Sequence, residues 1–105
     1  MDIAKDVDGH IIAISKKHFT NILDCDQDTL NHLMITVKKI SNHLVDNCGY
    51  DGINLLNAND ESAGQSFSHF HIHIIPRKNN DGIDACPKFN GAKNDIEDIF
   101  LKLKL

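Results

Sequence analysis

The chain has 105 residues, 41% of them hydrophobic, and a formal net charge of −4. That length is one domain, with enough apolar content for a small core. The acidic balance leaves no footprint for nucleic acid, and no apolar run is long enough to span a bilayer. Three cysteines without framework spacing read as reduced thiols, so a cytoplasmic location is expected.

The spacing predicts a first strand over residues 10–15, buried on both faces because four apolar residues follow one another. Carboxylates over residues 24–28 suit the positive end of a helix dipole. The apolar set Leu30, Leu33, Met34, Val37, Ile40, Leu44, Val45 and Cys48 then recurs at helical spacing, with Gly49 as the closing residue. His32, Lys39 and His43 fall on the opposite, solvated side. A second strand is expected over residues 53–57 and a third over 67–75, with Pro76 ending its pairing. Residues 77–93 read as a loop. Asn94, Asp95, Ile96 and Glu97 resemble a capping box that opens a short helix in the 94–105 tail, with Ile96, Ile99, Phe100 and Leu103 inward. The predicted class is α+β: a small antiparallel sheet, one long helix and a short C-terminal helix.

The third strand carries the chemistry. It runs Ser68-His69-Phe70-His71-Ile72-His73-Ile74-Ile75-Pro76-Arg77. A strand has a side-chain period of two, so Phe67, His69, His71, His73 and Ile75 share one face. Neighbouring imidazoles are then about 7 Å apart. Packing does not explain the pattern, since a core strand would carry Val, Ile or Leu at those positions. Alternate histidines suit either a zinc site of three or four ligands or a histidine nucleophile with helpers. Upstream, residues 57–66 form a polar loop with Gly64, Gln65 and Ser66 beside the strand. Close backbone approach at Gly64, a carboxamide and a hydroxyl are phosphate-binding features. The combination favours phosphate chemistry over a closed metal cage.

Ala63-Gly64-Gln65-Ser66 followed by the alternating histidines resembles the histidine triad (HIT) family. The motif His-φ-His-φ-His-φ-φ, with φ apolar, is matched at every position. Gly9-His10-Ile11-Ile12-Ala13-Ile14-Ser15-Lys16-Lys17-His18 is similar to the family strand ending in Pro-Lys-x-His, with Ser15 where Pro is common. Asp81-Gly82-Ile83-Asp84 is similar to the bacterial branch. The resemblance runs from residue 1 to about residue 92, within a single domain over residues 1–105. The family usually has a further N-terminal segment that lines the base pocket and often carries Cys-x-x-Cys. Met1 falls just before the matching Asp2, so the domain reads as N-terminally short.

The resemblance implies a homodimer with one continuous sheet and a hydrolase of nucleoside 5′-monophosphate conjugates, such as adenosine 5′-phosphoramidate. It implies His71 as the nucleophile that forms a nucleotidyl-histidine, and a backbone carbonyl as acceptor for its other ring nitrogen. His10, His69 and His73 are the further candidate catalytic residues; His10 and His73 would donate to phosphate oxygens or the leaving group. Asp2 matches a ribose-binding carboxylate. Gly64, Gln65 and Ser66 would receive the phosphate, with Asn57 and Asn59 as orienting groups. Cys86 and Phe89 are candidates for the leaving-group side. No metal is expected, because Cys25, Cys48 and Cys86 form no Cys-x-x-Cys to join His18 and His69 in a zinc site. The alternatives are a zinc protein using His69, His71 and His73, and a nucleotide-binding interaction protein with little turnover.

Overall fold

The computed structural model describes residues 2–3, 8–85 and 88–105. A four-stranded antiparallel sheet forms from β1 (Asp2–Ile3), β2 (Ile11–Ile14), β3 (Gly52–Leu56) and β4 (His71–Arg77), in the order β1-β2-β4-β3. The long helix α1 (Gln27–Asp46) joins β2 to β3, and α2 (Ile96–Leu103) ends the chain. The α+β class is as expected, with one strand more than the three read from periodicity. A two-residue strand has no period to detect, and β1 exists only through its pairing of Asp2 with Ile12 and Ile3 with Ile11.

Local chemistry sets the helix ends. The Asp26 carboxylate accepts from the Thr29 amide at 2.7 Å, which satisfies one of the open donors of α1. The helix closes at Asn47, whose N–H donates to the His43 carbonyl, so it stops short of Cys48 and Gly49. Its stripe of Leu33, Val37 and Leu44 is buried, while Met34, Val45 and Cys48 are exposed. The stripe is narrower than expected because only one layer, the sheet, covers it.

Antiparallel pairing places β4 at the centre. It pairs with β2 from Ile14↔His71 to Ile11↔Ile74, and with β3 from Leu56↔His73 to Gly52↔Arg77. Ile72 and Ile74 point to α1 and join Ala13, Leu33, Val37, Leu44 and Phe70 in one core. The intervening histidines therefore lie on the face turned away from the helix. β2 alternates as well: Ala13 is buried and Ile14 exposed, so this strand is not buried on both faces.

Pro76 lies within β4 instead of ending it, paired with Ile53. The Arg77 carbonyl accepts from the Asp51 amide, so the backbone of Arg77 faces β3 and that of Pro76 faces the β2 side. On that side pairing has already ended at Ile74, and the missing N–H costs no ladder bond.

The C-terminal helix corrects a second expectation. The expected box would cap it with Asn94, but the cap is Asp95, one residue later, which accepts from the Glu97 amide. Of its expected inward residues Ile99 is half-buried, but Ile96, Phe100 and Leu103 are exposed, and among the described residues α2 packs on no other element. The helical pattern is real, but no facing surface of the same chain lies against it.

Candidate active site

The triad begins before the strand. His69 precedes β4, while His71 and His73 lie in it. The backbone at Phe70 is tied by its N–H to the Phe19 carbonyl at 2.7 Å, which fixes the entry to β4 from the loop after β2.

Each imidazole has a fixed partner. His71 Nδ1 donates to the His69 carbonyl at 2.8 Å, which leaves the lone pair on Nε2. This is the backbone acceptor that a histidine nucleophile needs. The His69 Nε2–H donates to the Ser15 carbonyl at 3.1 Å. His73 Nδ1 lies 2.9 Å from His10 Nε2. His71 is 3% exposed and meets the His73 ring edge-on, with centroids 4.9 Å apart. His10 reaches this cluster because Gly9 turns the chain just before β2 with φ +81°. A Cβ at Gly9 would come within 3.0 Å of both Pro76 Cγ and the Tyr50 hydroxyl.

The family model for the HIT domain matches residues 1–80. The chain belongs to the HIT family. An uncharacterised HIT-like protein of Methanocaldococcus jannaschii is 34% identical over 105 residues, covering 99% of this chain and 79% of that one. A Hit-like protein of Bartonella henselae has a similar structure, with a TM-score of 0.70 and 36% identity over 85% of this chain and 64% of its own. A bis(5′-adenosyl)-triphosphatase of Dictyostelium discoideum is 32% identical over 87 residues, 83% of this chain and 52% of that enzyme.

Within this HIT domain the polar loop is built differently from the sequence expectation. The Gln65 carboxamide does not face open space. Its Nε2 donates to the carbonyls of Thr20 and Phe67 at 2.6 and 3.0 Å, and its Oε1 accepts from the Asp60 amide at 2.7 Å and from Asn21 Nδ2 at 3.4 Å. The Gln65 backbone N–H is also engaged, with the Asp60 carbonyl. Gln65 thus fastens three loop segments together. Gly64 closes a short 3₁₀ turn (Glu61–Ala63) with φ +88°, and this left-handed backbone accounts for the glycine; nothing crowds its Cβ position. Ser66 is exposed and lines a cavity of about 500 Å3 with Thr20, Asn21, Asp60, Gln65 and Phe67.

Asn57 and Asn59 lie behind His71. Asn57 Nδ2 donates to the His71 carbonyl at 2.9 Å. Asn59 Nδ2 donates to Asn57 Oδ1, and Asn59 Oδ1 accepts from the Ile22 amide at 2.8 Å. The two side chains connect the loop after β2 to the strand that carries His71. Asn21 belongs to the same framework and is buried, with its Oδ1 accepting from the Leu23 amide. Sequence reasoning missed it: it stands 44 positions from Gln65, with no local pattern to single it out.

Asp2 lies in β1, but its side chain is outside the described residues, as is Cys86. Phe89 is exposed. His18 and His69 approach with ring centroids 4.9 Å apart, and the His69 Nε2–H donates to the Ser15 carbonyl, which leaves the lone pair of that ring on Nδ1. Among the described residues no group of three or more His, Cys, Asp or Glu is placed to hold an ion.

Proposed function

We propose that this HIT domain hydrolyses nucleoside 5′-monophosphate conjugates by covalent catalysis at His71. The observation that carries this reading is the bond from His71 Nδ1 to the His69 carbonyl, which fixes the tautomer with Nε2 as nucleophile. The similarity to a bis(5′-adenosyl)-triphosphatase supports a substrate in which a nucleoside 5′-phosphoryl group is joined to a leaving group.

In the first step the Nε2 lone pair forms a bond to the α-phosphorus. The leaving group departs with the electron pair of its bond to phosphorus and takes a proton from the His73–His10 pair. Water then attacks phosphorus and gives a proton back to the His73–His10 pair, the P–N bond breaks toward Nε2, and nucleoside monophosphate leaves. Covalent catalysis divides one difficult displacement into two easier ones. Ser66, exposed at the cavity, is the group of the loop that donates to phosphoryl oxygen. Gln65, Asn57 and Asn59 hold the frame that orients His71.

The substrate class includes purine nucleoside phosphoramidates such as adenosine 5′-phosphoramidate. The protein works as a homodimer in a reducing cytoplasm: Cys25 and Cys48 are free thiols, and β3 stands at the sheet edge with Leu55 and Leu56 exposed. Rapid quenching with phosphorus-labelled adenosine 5′-phosphoramidate tests the chemistry. Label is expected on His71, located by mass spectrometry of peptides kept at alkaline pH. Turnover at full rate with no label on His71 would overturn the mechanism.

A further inference from the structure

We infer that Phe67 is a positioning residue that acts through His71: its ring braces the imidazole and favours the cationic intermediate formed there. The inference rests on the covalent reading above.

The Phe67 and His71 rings are stacked, with centroids 4.1 Å apart and planes 16° from parallel. His71 is almost fully buried, whereas Phe67 remains 45% exposed. Phe67 lines the cavity and presents its face to the His71 imidazole. Its backbone is pinned as well, since the Phe67 carbonyl accepts from Gln65 Nε2 at 3.0 Å. His73 meets the imidazole edge-on, at 81°. The ring of His71 is thus held by Phe67 on its face, by His73 at an edge and by the His69 carbonyl at Nδ1.

Face stacking leaves the Nε2 lone pair clear, because that lone pair lies in the ring plane. During the reaction Nε2 gains a bond to phosphorus while Nδ1 keeps its proton on the His69 carbonyl. The neutral imidazole therefore becomes a substituted imidazolium with one positive charge. Hydrolysis returns the P–N electron pair to Nε2 and the charge disappears. An aromatic face carries a negative quadrupole and attracts a cation over it. Phe67 thus interacts more favourably with the intermediate, and with the transition state leading to it, than with the resting imidazole. Such a differential contact is what raises a rate.

The test compares F67L, F67Y and full-length protein carrying fluorinated phenylalanines at position 67, with adenosine 5′-phosphoramidate as probe. Fluorination preserves shape but drains the π face. The rate of His71 labelling is read by rapid quench, with circular dichroism as a check of folding. F67Y is expected to label at nearly the wild-type rate. F67L is expected to label about three- to thirtyfold more slowly, the equivalent of roughly 0.7–2 kcal/mol. The fluorinated series should lose rate progressively with each added fluorine. Equal rates across F67L and the fluorinated series would overturn the role of Phe67 while the mechanism stands. Absence of label on His71 in the wild-type protein would overturn the covalent reading and this inference with it.

Discussion

His10 Nε2 lies 2.9 Å from His73 Nδ1, although the two residues are 63 positions apart. One proton lies between the two nitrogens, so the tautomer of each ring sets that of the other. A pair that delivers one proton to a leaving group should lose its function when either member is removed. H10A and H73A are expected to lower kcat similarly, with the double variant within about threefold of the worse single one. Rates from steady-state assays of the three proteins check this; multiplied losses would mean that the residues act independently.

Removal of the proposed nucleophile should be far more severe. H71A is expected to lose on the order of a thousandfold or more in kcat. The residue is buried but lies outside the apolar core cluster, on the face turned away from α1, so folding should survive by circular dichroism. Near-normal turnover in a folded H71A protein would assign the nucleophile elsewhere.

Asn57 offers a test of the frame behind the site. Its Nδ2–H to the His71 carbonyl disappears in N57D, which matches it in size but lacks the donor. We expect kcat to fall by about tenfold or more while KM changes little, because a small misplacement of a reacting group is costly. A change confined to KM would instead point to a substrate contact.

The turn after β4 ties stability to pH. Asp81 accepts two bonds from the Arg77 guanidinium at 2.8 Å each, and its carboxylate also accepts from the amides of Ile83 and Lys78. The hydrogen bond from Arg77, then that from the Ile83 amide, hold its pKa well below the usual carboxylate range. A carboxyl with a lowered folded-state pKa adds stability above its unfolded value, near pH 4, and that stability is lost as pH falls below it. Asp26 and Asp24 act in the same direction, through backbone amides of Thr29 and Asn21. D81N is expected to unfold at lower urea at pH 7 and to show a shallower loss of stability between pH 4 and pH 2 than wild type. Identical acid limbs in urea titrations would refute this assignment.

Burial separates the two helices energetically. Ile74 is fully buried between β2, β3 and α1, and I74A is expected to cost about 2–5 kcal/mol in chemical denaturation. Phe100 on α2 is exposed and packs on no other element, so F100A should stay within about 0.5 kcal/mol. A large loss in the monomeric protein would show that α2 packs on this chain after all.

The alternation through His71 and His73 and the apolar spacing of Leu33, Val37 and Leu44 were enough to indicate a histidine strand and an amphipathic helix, because both depend on local periods of 2 and 3.6 residues. The strand expected over 67–75, however, runs from His71 to Arg77 and leaves His69 outside it. The helix starts were legible only to within a residue or two, from carboxylates over 24–28 and the capping-box run 94–97. Which of these residues caps, Asp26 and Asp95, was set by the folded backbone. Histidine chemistry in that pattern already pointed to a nucleophile or a metal. Only the tertiary structure supplied the hydrogen-bond partner of each histidine. The His10–His73 bond, the Ser15 carbonyl on His69 and the chain from Ile22 through Asn59 and Asn57 to His71 all join distant segments. Gln65 reads as a phosphate donor in sequence, yet its hydrogen bonds go to Thr20, Asn21, Asp60 and Phe67 once the loops meet. The inward face expected of α2 failed for the complementary reason: amphipathic spacing specifies an apolar side, but only a facing surface can bury it.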